Sequence, residues 1–155
     1  MKHLLSIALA LLLMLAAACG DSSCYDNGNA LPLARFYRDG KKITLSNVTT
    51  RGIGAPNDSA YVKGKSLSET YLPLRASTTS TQWIIEMAVT NDDTMSDTLT
   101  FHYTTVPYFA SAECGAMFAF NIDKVETTRN LIDSVELVQR KVTNLITESI
   151  KIHFQ

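Results

Sequence analysis

Histidine is scarce: three in 155 residues, one of them His3. A zinc site wants three or four convergent ligands, usually at short spacing. His102 and His153 are far apart and fall on what read as polar strand faces, so they are expected to be solvated side chains. No metal and no other cofactor is expected. The Gly-x-Ser-x-Gly elbow of hydrolases is missing. So is the Asp-x-Asp-x-Asp run with glycine of a calcium loop. Asn91-Asp92-Asp93 reads instead as a turn, because Asn and Asp bond their own backbone and tolerate positive φ. Neither sign of charge is in excess, with 14 Lys and Arg against 15 Asp and Glu. That argues against nucleic acid and against an electrostatic grip on anionic lipid. A non-catalytic protein is the expectation.

What is present begins with Met1-Lys2-His3, a short positive start. An apolar run follows from Leu4 to Ala18, broken only by Ser6. It ends Ala16-Ala17-Ala18-Cys19. These are the parts of a secretory signal. At about 15 residues the run is short of the roughly 18 that a membrane span requires. The Cys at the cut looks like the lipobox of bacterial lipoproteins, in which the thiol is acylated and becomes the first mature residue. Leu15 stands one place earlier than the usual Leu, a looser form. The alternative is an ordinary signal with a chance cysteine. Residues 1–18 are thus read as a removed signal, 19–23 as a lipid-anchored tether and 24–155 as one domain. Two or more acyl chains give stable anchoring.

Three cysteines occur. With Cys19 lipidated, Cys24 and Cys114 remain in an oxidising compartment, and theirs is the one intrachain disulfide that can form. Two unpaired buried thiols are the alternative. The bridge would close a loop of about 90 residues, with an upper estimate of roughly 4–5 kcal/mol. It would also leave only Gly20-Asp21-Ser22-Ser23 between the domain and the lipid. Five residue steps span at most about 17 Å, so the domain would sit close to the headgroups. Loss of the signal removes Lys2 and no acid, leaving 13 basic against 15 acidic residues.

The rest of the chain alternates. Leu33 to Tyr37 reads as a strand, turned by Asp39-Gly40 into Lys42 to Leu45. Val48 to Ile53, Ser59 to Val62 and Glu69 to Leu72 are further candidates. In Gln82 to Thr90, Trp83, Ile85, Met87 and Val89 share a face. In Thr98 to Val106, Leu99, Phe101 and Tyr103 do so. Period two with one apolar face marks a half-buried antiparallel strand. Trp83 is expected in the core. Pro107 is expected to end its strand, leaving Tyr108 and Phe109 as a possible contact patch. Met117 to Val125 resumes the alternation, with Phe118, Phe120 and Ile122 on one face, and Ile150 to Phe154 forms a last strand. Leu131 to Leu145 fits a helix and a strand equally well. An all-β antiparallel sandwich of about 7–9 short strands, immunoglobulin-like in general architecture, is expected.

Leu99-Thr100-Phe101-His102-Tyr103, Pro107-Tyr108-Phe109 and Glu113-Cys114-Gly115 resemble the pattern of an uncharacterised family of small Bacteroidota lipoproteins. Cys24, the following Leu33 to Tyr37 strand, Ile132-Asp133-Ser134-Val135 and the closing Ile150 to Phe154 match as well, so the resemblance covers most of the mature chain. The resemblance implies a β-rich domain with a Cys24–Cys114 bridge, and favours strands for Leu131 to Leu145. It brings no assigned activity.

The leading expectation is an accessory or scaffold lipoprotein docking on an outer-membrane partner protein. The second is a surface-displayed binding module for glycan or another extracellular ligand. One acid after Cys19, where an acidic run usually marks surface display, leans towards the periplasmic face.

Overall fold

A computed structural model describes residues 30–90, 93–111 and 114–155. In chain order the strands are β1 (Leu33–Arg38), β2 (Lys41–Lys42), β3 (Leu45–Gly52), β4 (Val62–Leu67), β5 (Glu69–Tyr71), β6 (Ser80–Ala88), β7 (Thr94–Ser111), β8 (Gly115–Thr127), β9 (Ile132–Leu137), β10 (Lys141–Val142) and β11 (Glu148–Phe154). One sheet runs β2-β1-β11-β9, with β5 also pairing β1. The other runs β10-β8-β7-β6-β3-β4. The expected sandwich of two β-sheets is what the chain forms.

Alternation explains the layers. Ala34 and Phe36 of β1, and Ile150, Ile152 and Phe154 of β11, are buried from the first sheet. Trp83, Ile85, Leu99, Phe101, Tyr103, Phe120 and Ile122 meet them from the second. Edge-to-face ring pairs, Phe36 with Phe154 at 5.4 Å and Tyr103 with Phe120 at 5.3 Å, tie the aromatic part of this core together. The Asp39-Gly40 turn has positive φ at both residues, 51° and 72°. That is the backbone a two-residue hairpin requires, and it fixes β1 against β2.

Several particulars differ from expectation. The strands among the described residues number eleven, because β2, β5 and β10 are too short to show a period. The sandwich is not wholly antiparallel: β1 and β11 run parallel, Ala34 opposite Ile150 and Phe36 opposite Ile152. They are the first and last of the described strands, so the connection that a parallel pair requires is nearly the whole of the described domain. The strand sought at Ser59 to Val62 starts at Val62 instead. Leu131 to Leu145 contains no helix; Ile132–Leu137 and Lys141–Val142 are strands. Pro107 does not end its strand, for β7 continues to Ser111. Pairing with β6 stops at His102 opposite Ser80, so Pro107 occupies a stretch of β7 whose other edge pairs with no strand among the described residues. Its missing N–H costs no ladder bond there.

Candidate functional site

The β7–β8 hairpin grows out of the sandwich. Beyond Tyr103 no β6 residue covers β7, and β10 reaches β8 only at Phe120 and Asn121. Among the described residues, the two strands from Thr104 to Ala119 therefore pair with each other alone, as an arm. Eight residues of β7 make it about 25 Å long. Across it Val106 faces Ala119, Pro107 faces Phe118, Tyr108 faces Met117 and Phe109 faces Ala116.

The arm carries the expected contact residues. Phe109 is 73% exposed. Tyr108 is half-buried, its hydroxyl 3.8 Å from the Met117 sulfur. Cys114 stands at the arm's tip, where its N–H donates to Ser111 Oγ at 3.1 Å. Cys19 and Cys24 lie outside the described residues, as do Asn91 and Asp92. Val89 and Thr90 N–H both donate to the Asp93 carbonyl, at 2.9 and 3.2 Å. Trp83 is core, with Nε1 donating to the Pro73 carbonyl at 3.1 Å. His102 and His153 are partly exposed, 3.0 and 3.7 Å from Glu126 and Glu136.

Along the arm, from Cys114 at its tip towards its base, runs a groove of about 530 Å³, lined among others by Ala30, Tyr61, Leu74, Met117 and Phe118. A second cleft of about 420 Å³ shares Tyr61, Pro73 and Leu74 and reaches Arg75 and Trp83. Tyr61 sits edge-on to Trp83 at 5.6 Å. The groove's wall is held by a buried phenol. Tyr103 OH donates to the Arg75 carbonyl at 2.8 Å, accepts from Arg75 N–H at 3.1 Å and lies 2.7 Å from Thr81 Oγ1. The Arg75 guanidinium donates to the Ile53 carbonyl at 2.6 Å, joining the 73–76 segment to the end of β3.

At the opposite end Asp97 is a second hub, missed by sequence reasoning. It is 1% exposed. Oδ1 accepts from Thr128 Oγ1 and from Asn130 N–H at 2.9 Å, and Oδ2 from Leu131 and Ile132 N–H at 2.7 and 2.8 Å. Here the chain crosses from β8 in one sheet to β9 in the other, and the carboxylate satisfies the crossing backbone. Burial alone would raise its pKa. The bonds from Thr128, Asn130, Ile132 and Leu131 outweigh this and hold it below the usual aspartate value. A signal existed: Asp97 shares the face of Leu99, Phe101 and Tyr103.

Surface pairs shift two glutamates. Lys42 and Arg35 lower Glu69, and Lys124 and His102 lower Glu126. Such pairs contribute little to stability. Among the described residues no group of three His, Cys, Asp or Glu is placed to hold a metal. The arm and groove present apolar and aromatic surface, chemistry suited to contact.

Residues 47–154 match the model of a family of unknown function, DUF6452. The chain belongs to this family. No curated protein and no solved structure matches it. The DUF6452 match opens within β3 and closes at Phe154, so it includes both hubs, the arm and the groove's aromatic wall. Strands β1 and β2 precede it. The expected resemblance holds at the level of a family without an assigned function.

Proposed function

We propose that this DUF6452 protein is a membrane-anchored, non-catalytic lipoprotein. It serves as an accessory or scaffold subunit docked on an outer-membrane partner protein, on the periplasmic face. The apolar run to Ala18 followed by Cys19 supports the anchor. The Cys24–Cys114 bridge would brace the domain close to the lipid. The observation that carries docking is Phe109, largely exposed on an arm whose edges pair with nothing among the described residues. With Val106 and Phe118, also exposed on the arm, it forms apolar surface of the kind that marks an interaction site.

Crosslinking of tagged protein in intact cells tests it. One dominant membrane protein should be recovered, and lost when Tyr108 and Phe109 are both changed to Ser in a folded variant. Recovery of bulk envelope proteins alone would overturn docking. Tyr61, half-exposed beside the groove, favours a second reading: a binding module for glycan or another extracellular ligand. In that case glycan arrays should show a ligand whose binding fails in Tyr61→Ala.

A further inference from the structure

The exposed apolar side chains are distributed unevenly over the sandwich. Among the described residues the three most exposed large ones are Ile146, Phe109 and Leu145, at 76, 73 and 68%. Phe109 is on the arm. Leu145 and Ile146 lie in the β10–β11 loop, which joins Val142, opposite Phe120, to Glu148, opposite Leu33. Ala30 and Leu31, two to three residues before Leu33, line the groove together with Cys114 and Phe118. All three side chains therefore belong to one end of the sandwich, which Tyr61, Val106 and Phe118 also border.

The arm and the β10–β11 loop carry almost no charge themselves, while Arg75 and Lys141 are exposed beside them. From Tyr103 to Phe120 the only charged residue is Glu113, and from Thr143 to Thr147 there is none. The opposite end exposes Arg38, Asp39, Lys41, Arg129 and Asp133.

We infer that the apolar end of the sandwich, arm and β10–β11 loop together, lies in the headgroup layer of a lipid bilayer. This rests on the reading that Cys19 carries lipid. Three arguments converge. First, the arm is apolar on both faces of its ribbon, and a bilayer interface can surround both. Val106 and Tyr108 alternate with Pro107 and Phe109, so they point to opposite sides. Second, the arm's edges pair with no other strand among the described residues, and unpaired backbone groups of that kind are not tolerated in the hydrocarbon core. The hydrated interface does tolerate them, and Tyr and other amphipathic rings favour it. Third, Ala30 lies at this end, so the chain coming from Cys19 arrives there. The inference sharpens the docking proposal: the contact with a membrane-embedded partner is made sideways, at headgroup level.

The test uses the mature, lipid-bearing protein in phosphatidylcholine vesicles, with ordinary or brominated acyl chains. Trp83 is buried and supplies a constant baseline. Phe109→Trp and Ile146→Trp each add a reporter at the apolar end, and Met95→Trp adds one at the opposite end. The added emission at 109 and 146 should fall about twofold with brominated chains, and that at 95 should not change. Protein that floats with the vesicles yet shows no quenching at 109 and 146 overturns the inference and leaves the anchor standing. Equal quenching at all three positions overturns it too. Protein that does not float overturns both.

Discussion

Asp97→Ala removes the acceptor of three backbone N–H groups and one hydroxyl at the crossing from β8 to β9. A buried donor left without a partner costs about 1–3 kcal/mol. Ile132 is buried, whereas Asn130 is exposed and Leu131 half-buried. Water can therefore replace part of the loss, and a total of about 3–5 kcal/mol is expected. For a domain of this size that is a fall in melting temperature of roughly 10–20 °C. Asp97→Asn keeps one carbonyl oxygen but turns an NH₂ towards donors, so it should cost nearly as much. Urea unfolding of the mature protein followed by circular dichroism gives the values. The pH dependence has a definite sign. The folded carboxyl lies below its ordinary value of 3.8, so its contribution is full above that pH. It is lost as the pH falls from there through the folded value. Wild-type stability should therefore drop in that window, and Asp97→Asn should show a flatter profile. An Asp97→Ala protein within about 1 kcal/mol of wild type would refute the reasoning.

Further outcomes follow from the same geometry. Tyr103→Phe strips the hydroxyl from Arg75 and Thr81 and should cost about 1–3 kcal/mol by the same unfolding assay. Phe109→Ser removes an exposed ring and should leave the melting temperature unchanged in a thermal melt, even though it affects contact. Labelling of the unfolded, unreduced mature protein with a thiol reagent should find no free thiol at Cys24 or Cys114. Two labelled thiols would refute the bridge.

The sheets were legible where one face is buried and the other wet. Trp83, Ile85 and Met87 against Gln82, Ile84 and Glu86 could form little else, and Ile150, Ile152 and Phe154 likewise. Legibility failed where two periods coincide. Leu131, Val135, Val138 and Val142 satisfy a helix, yet Ile132 and Val135 pair with Phe154 and Ile152 of β11, a long-range contact that no local pattern encodes. Pro107 misled for a related reason. Whether a proline ends a strand depends on the neighbour to which its N–H would donate, and β6 stops short of it. Asp97 was hidden because a carboxylate among buried positions is informative only once its donors, more than thirty residues onward, are known. Phe109 was legible as a candidate, but the arm that displays it was not. The concentration of Leu145 and Ile146 at the same end emerges only from the fold.

The most direct measurement is metabolic labelling with a fatty acid that can be detected on the protein, comparing wild type with Cys19→Ala after membrane fractionation. The account predicts label on the wild type in the outer-membrane fraction, and neither label nor membrane retention for the variant. A Cys19→Ala protein that remains equally labelled and membrane-bound would contradict it.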